Sequence, residues 1–454
     1  MNAAAGFPLT LGPQLALACG AVGALFLGAL RPNSAALLRL LRAGVLLAAL
    51  ALLAFSVPAS AGPLIRLDGW GLAWQFLFYA GALPFAFLAG SDDEVTTALF
   101  LGSALGMGLL AASSSLLMLF IGLEFMSLPA YLLVSRGGKG AVCLEAGLKY
   151  FFAGGAAGAL FLMGLVLYYA GTKSLGLAGA SGMPGEAGVL LMGVAALFKL
   201  GAVPLHFWLP DVYEAAEPEL AAFFSTSLKS AAALLLLRVT ALAPTSAFAA
   251  SLPAVGAVTM LAGSLMALRQ QNLQRLLAYS SIAHAGNIIL GVGAWAALGA
   301  EPSAASSVLF YLLAYLFMSN GVFAFVKVSG VSDRSGLKGL ARREPALAAL
   351  FSVLLLALAG VPPTGGFLAK LLIFWDAINA RLYVPVVAAA LAALIALGYY
   401  LALMRDMYFE ESSGGESAEP PARRTAILWA CAVPALLLGL APWILGYLSR
   451  VLSL

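Results

Sequence analysis

Charge is what this sequence has least of. Only 10% of its 454 residues are charged, whereas 62% are hydrophobic and the mean hydropathy is +0.99. Soluble domains carry about 25% charged residues. A chain this apolar could not cover a water-facing surface, so a soluble globular protein is excluded. Cysteine is nearly absent as well: Cys19, Cys143 and Cys431 stand apart, without a CxxC pair. That spacing argues against iron–sulfur clusters and structural zinc. His206 and His284 are the only two histidines, too few for a His-rich metal site or a haem pocket. The first apolar segment lacks a basic flank and a clear cleavage site, so it reads as a retained helix and not as a signal peptide.

What the chain does have is long apolar runs. A membrane span needs about 20 mostly apolar residues. On that rule fourteen helices are expected, at approximately 12–30, 35–57, 71–90, 95–111, 116–135, 145–170, 186–208, 219–240, 248–268, 275–296, 304–327, 345–377, 382–405 and 424–449. The fold class is therefore an all-α polytopic membrane protein. The connections are short, and none is large enough to form a soluble cofactor domain. Most of the 49 glycines and 22 prolines lie inside apolar runs or short connections, which membrane helices tolerate better than soluble ones.

Lysine and arginine set the orientation, because cytoplasmic loops carry the excess. With the N-terminus outside, sixteen of the 24 basic residues fall on inner loops and helix ends: Arg31, Arg39, Arg42, Arg136, Lys139, Lys149, Arg269, Arg275, Lys327, Arg334, Lys338, Arg342, Arg343, Arg405, Arg423 and Arg424. Five fall outside, Arg66, Lys173, Arg238, Arg381 and Arg450, and three are buried. Fourteen spans place both termini on the outer side.

Two spans are interrupted alike. The seventh reads Lys199-Leu200-Gly201-Ala202-Val203-Pro204, and the twelfth reads Gly360-Val361-Pro362-Pro363-Thr364-Gly365-Gly366. Proline removes an N–H and clashes one turn back. Carbonyls freed at membrane depth persist only inside protein or beside water. Paired breaks in two halves suggest an internal repeat with a pathway near them, the alternative being two packing kinks.

Four charges lie within apolar spans: Glu124 in span five, Lys199 before the first break, Lys229 halfway along span eight, and Lys370 after the second break. Each costs about 2.5–3.5 kcal/mol at a helix centre, on the order of 10 kcal/mol together if unpaired. Burial disfavours an ammonium and a nearby carboxylate favours it, so a lysine whose neighbour moves can take up and release a proton. Glu124 is the expected neighbour of Lys199, and Lys229 would pass the proton onward. His284 lies about nine residues into span ten, roughly 14 Å along it and near the midplane. It titrates near neutrality and could bridge. The alternative for Glu124, Lys199 and Lys229 is a static ion-pair network, and for Lys370 a structural tether. His206, after the first break, is expected to satisfy freed backbone or line an inner mouth. Glu145 and Lys149 form a helix-face pair at a spacing of four. Asp92, Asp93 and Glu94 read as a solvated helix start, and 410–424 as a flexible inner loop.

The stretches around these charges resemble the N-type membrane subunits of proton-pumping NADH:quinone oxidoreductase, respiratory complex I. They are GLEFMSLPAYLLV from Gly122, EAGLKYF from Glu145, LFKLGAVPLHFWLPDVYE from Leu197, QRLLAYSSIAHAG from Gln274, and GVPPTGGFLAK ending at Lys370. The resemblance implies two inverted five-helix repeats. The divisions are 1–94 for three N-terminal helices, 95–243 and 244–406 for the repeats, and 407–454 for an inner loop and the last helix. It matches Glu124, Lys199, Lys229 and Lys370 to the family's proton-channel residues. The lysine in span twelve favours the N-type over the M-type subunit, and the absence of a long C-terminal amphipathic helix disfavours the L-type. The chain departs from the family's Gly-Ala-Pro-Thr-Pro-like loop at Ala215-Ala216-Glu217-Pro218-Glu219-Leu220, which adds two acids at the inner mouth.

The resemblance further implies a proton-translocating subunit without a redox site of its own. NADH, FMN, iron–sulfur clusters and quinone would belong to partner subunits. An M-type antiporter-like subunit would flank it on one side and small K/J/A-type subunits on the other, in a bacterial inner membrane and without nucleic acid. Two alternatives share the fold: a subunit of a cation/proton antiporter and a subunit of an energy-converting membrane hydrogenase.

Overall fold

In hydrocarbon every backbone N–H and C=O must find a partner within the protein, so the apolar runs become helices. The computed structural model describes residues 11–31, 35–60, 64–90, 93–137, 140–177, 179–180, 182–411 and 422–453. Asp92, Lys139 and residues 412–421 of the expected inner loop lie outside the described residues. The helices are α1 (Gly12–Leu30), α2 (Ala35–Ala54), α3 (Gly69–Leu88), α4 (Glu94–Ala111), α5 (Leu116–Ser135), α6 (Ala141–Thr172), α7 (Gly182–Leu200) and α8 (Trp208–Ala215). They continue as α9 (Pro218–Ala241), α10 (Ala247–Ala267), α11 (Leu273–Ala297), α12 (Pro302–Ser329), α13 (Pro345–Ala359), α14 (Gly365–Asn379), α15 (Tyr383–Tyr408), α16 (Ala422–Leu437) and α17 (Ile444–Leu452). A two-residue antiparallel ladder, Ala59–Ser60 against Arg66–Leu67, closes the connection before α3.

Among the described residues twelve helices are long and apolar enough to cross a membrane, and a thirteenth span results if Thr425–Leu440 and Ile444–Leu452 count together across their 92° bend. The twelfth expected span, 345–377, is two helices of 15 residues, α13 and α14. At 1.5 Å per residue each is about 22 Å long, short of the ~30 Å hydrocarbon core. Span seven, expected to reach residue 208, stops at Leu200, where Gly201 turns to φ +78°. The matching turn at the second break is Gly360, φ +82°. Left-handed backbone of this kind suits glycine, which has no Cβ to clash.

The chain divides into two compact units, Met1–Leu200 with Ser227–Ala249 and Leu448–Leu454, and Gly201–Thr226 with Ala250–Tyr447. In the first unit α6 packs along α7, α5 along α4, and α1 along α4, around buried Trp74, Phe78, Phe100 and Phe161. Arg42, placed at a helix end by its sequence position, is fully buried there. Its Nε donates to the Ala86 carbonyl at 3.2 Å and its guanidinium lies 5.4 Å from the Phe85 ring. The last carbonyls of a helix lack intrahelical donors, so this arginine caps α3. The predicted helix-face pair is present, Lys149 Nζ to Glu145 Oε1 at 2.8 Å. Asp93 caps α4 through the Thr96 N–H and meets Arg136 at 2.9 Å. In the second unit α12 packs against α11, α13, α14 and α16.

Candidate functional site

In the first unit the charges gather where α5, α6 and the end of α7 meet. Glu124 and Tyr131 are seven residues apart on α5, two turns along one face. Opposite them, α6 presents Gly154 and Gly158. A Cβ on Gly154 would collide with the Tyr131 hydroxyl, and one on Gly158 would lie 2.6 Å from Glu124 Oε1. The two glycines, one turn apart, form the notch into which these side chains fit.

Lys199 closes the cluster from the last turn of α7. It is buried, and its ammonium donates to the Tyr131 hydroxyl at 2.6 Å. The rings of Tyr131 and Tyr150 lie 4.8 and 5.4 Å from Nζ, within the range at which an aromatic face attracts a cation. Among the described residues no N···O contact within 4.0 Å joins Glu124 to Lys199: the expected pair is separated, and Tyr131 takes the contact position. Glu124 itself is half-buried, less enclosed than its sequence setting suggests, and its shielded Oε1 has no hydrogen-bond partner among the described residues. Lys229 is buried at the point where α9 returns to α-helix after a π-turn at Phe224–Leu228. Such turns often mark functional positions. Ser227, within the turn, donates to the Phe78 carbonyl at 2.8 Å.

In the second unit the chemistry centres on the second break. Pro362 and Pro363 lack the N–H groups that would bond the carbonyls of Leu358 and Ala359 four residues earlier. Lys370 supplies the missing donors: its Nζ lies 2.9 Å from Leu358 O and 2.8 Å from Ala359 O. A Cβ at position 360 would lie 2.9 Å from Lys370 Cδ, so glycine there serves both the turn and the approach of the lysine. At the first break, Thr259 Oγ1 accepts the Val203 N–H at 3.1 Å. His206 is half-buried beside it, its shielded Nδ1 without a hydrogen-bond partner among the described residues.

His284 and Lys370 line one small cavity together with Ser264, Asn287 and Tyr399. It admits the centre of a water-sized sphere over about 10 Å³, near the lower limit for holding one water. His284 Nδ1 lies 2.6 Å from the Tyr311 hydroxyl, and the Tyr315 ring is 4.8 Å from the imidazole.

These tyrosines belong to a stripe on α12 that sequence reasoning missed: Ser307, Tyr311, Tyr315, Ser319, Phe323 and Lys327, each four residues after the last. Tyr315 donates to Ser281 at 3.0 Å, and Ser319 lies 2.6 Å from Ser225. Phe323 meets the Tyr213 ring at 5.9 Å. Lys327 bonds Glu219 at 2.9 Å and Glu217 at 3.4 Å, the two acids of the altered loop. At the other end Ser307 faces the carboxyl of Asp376. None of these hydroxyls carries a charge, so hydropathy does not reveal them; the spacing of four was the available signal.

Among the described residues no group of three or more His, Cys, Asp or Glu side chains is placed to hold a metal ion. Residues 113–396 match the family NADH:quinone oxidoreductase/Mrp antiporter, TM. NADH-quinone oxidoreductase subunit N of Sphingopyxis alaskensis is 37% identical, covering 93% of this chain and 94% of that protein. NADH-quinone oxidoreductase subunit 14 of Thermus thermophilus is 38% identical over 86% and 88%. Among solved structures, a chain of respiratory complex I from Thermus thermophilus with bound Aureothin superposes with a TM-score of 0.87 at 34% identity, covering 96% of this chain and 99% of that one. A chain of the Mrp complex from Dietzia has the same fold, TM-score 0.87 at 23% identity over 98% and 97%.

Proposed function

Since the chain belongs to the subunit N family of NADH-quinone oxidoreductase, we propose that it is a proton-translocating membrane subunit of such a complex, driven by redox chemistry in partner subunits. The observation that carries this reading is the cavity shared by His284 and Lys370. Two proton-carrying groups from different helices face one water-sized space beside carbonyls that a broken helix has freed. A buried ionisable group at membrane depth is a functional candidate by default, and imidazole titrates near neutrality.

In this reading Glu124 sets the charge on Lys199 from a distance, with Tyr131 as the partner that holds the ammonium between transfers. Lys229 follows as the next carrier, and His284 and Lys370 serve the second unit. Moving one charge against the potential costs about 2.3 kcal/mol per 100 mV, so the drive comes from outside this chain. Residues 95–243 and 244–406 act as the two repeats. NADH, FMN, iron–sulfur clusters and quinone belong to other subunits, with antiporter-like and small membrane subunits as neighbours. The setting is a bacterial inner membrane, with both termini outside.

The test uses the assembled complex in proteoliposomes. Lys199→Ala and Lys229→Ala should each nearly abolish NADH-driven acidification while the complex still assembles. Normal pumping in both variants overturns the reading. Sodium- or potassium-dependent proton flux without NADH would favour the antiporter alternative instead.

A further inference from the structure

The second unit holds an acid that the reading above does not use. Asp376 lies on α14 six residues after Lys370, about 9 Å further along the helix axis, and three residues before the helix ends at Asn379. Its Oδ2 is shielded from solvent and has no hydrogen-bond partner among the described residues. Among the described residues it makes no ion pair, unlike Asp211, Glu214, Glu217, Glu219 and Asp406, which pair with Arg275, Lys327 and Arg334.

The α12 stripe fixes where Asp376 stands. Ser307, which faces it, and Lys327, which holds Glu219, are 20 residues apart on one helix. That is about 30 Å of rise, the thickness of the hydrocarbon core. Asp376 is therefore a carboxylate near the membrane face opposite the Lys327 cluster. It follows the Lys370 cavity on the same helix. A carboxylate that only decorated a helix end would turn both oxygens to water or to a cation; this one keeps an oxygen inside, uncompensated, where a proton would satisfy it.

We propose that Asp376 is the proton-releasing group of the second unit, taking the proton that leaves the Lys370–His284 cavity and passing it to the aqueous phase on that side. The proposal rests on the proton-translocation reading. In the step, the Lys370 ammonium loses one proton and becomes an amine. The Asp376 carboxylate gains that proton through water and then loses it to bulk water. His284 recharges the amine. No other bond changes.

The experiment compares Asp376→Asn, Asp376→Glu and Lys229→Ala in the assembled complex in proteoliposomes, recording protons moved per NADH oxidised. Infrared difference spectra under turnover are recorded in parallel. Asp376→Asn is expected to lower the ratio several-fold and to remove a protonated-carboxyl band that wild type shows, and Asp376→Glu to restore both. A wild-type ratio in Asp376→Asn, or a band that persists in it, overturns the proposal. If Lys229→Ala lowers the ratio while Asp376→Asn does not, the assignment of Asp376 fails and the translocation reading stands. If Lys229→Ala pumps normally, the reading beneath it fails as well.

Discussion

Lys370 does two jobs that a substitution can separate. It replaces the donors that two prolines remove, and it faces the cavity it shares with His284. Each buried carbonyl left without a donor costs about 1–3 kcal/mol. Lys370→Met should therefore lower the thermal unfolding temperature of the solubilised complex and stop pumping. Lys370→Gln keeps two N–H donors but has no transferable charge, so it should retain more stability and still fail to pump. Equal melting temperatures for the two variants would argue against the donor role. In the first unit, Tyr131→Phe removes the acceptor on the Lys199 ammonium while keeping the ring. Pumping should fall while assembly, read on native gels, is preserved. The four charges within the spans were legible in the sequence because each interrupts an apolar run. Tyr131 was not, although it lies inside the stretch that carries Glu124, because a tyrosine in a membrane helix violates no rule of hydropathy. The Gly154–Gly158 notch that receives Tyr131 and Glu124 was not legible either, because only the packing of α6 on α5 reveals it.

At the scale of the element, α12 is the helix most changed by seeing it folded. Hydropathy placed it within a few residues, and no more. Its working face comes from side chains that repeat every four residues and touch partners on several helices. Lys327→Ala leaves the buried Glu219 carboxylate without this cation, and breaking such a pair costs about 3 kcal/mol. The double variant Lys327→Ala with Glu219→Gln should recover most of that loss. Thermal unfolding of wild type, both single variants and the double variant closes the cycle, and additive losses would show that the pair is not coupled. The breaks were legible from Gly201, Pro204, Gly360, Pro362 and Pro363, since those residues cannot continue a helix. The end of α7 at Leu200, and not at 208, was not, because His206 and Phe207 read as an apolar continuation until Gly201 turns the chain.

For the whole molecule, the hydropathy pattern conveyed a many-span α-helical membrane protein, and the resemblance of the motifs around its charges conveyed the family. It did not convey how the chain divides. Gly201–Thr226 belongs to the second compact unit although it lies amid first-unit sequence, and only tertiary contacts decide which core such a segment joins. The asymmetry of lysine and arginine predicts an orientation that labelling can test. In a variant without its native cysteines, a cysteine at Lys338 should react with an impermeant maleimide only from the cytoplasmic side. One at Arg381 should react only from the opposite side.

The break in the second unit explains why lysine suits position 370. An ammonium has three N–H bonds and a neutral amine keeps two, and two is the number that Leu358 and Ala359 need. The side chain can give up its spare hydrogen and remain stitched to both carbonyls, its new lone pair free to accept the next. Arginine could hold the carbonyls but would not let go of a proton, and a glutamate could release one but, once ionised, would donate to neither. The helix break thus stays in one shape while the charge beside it comes and goes.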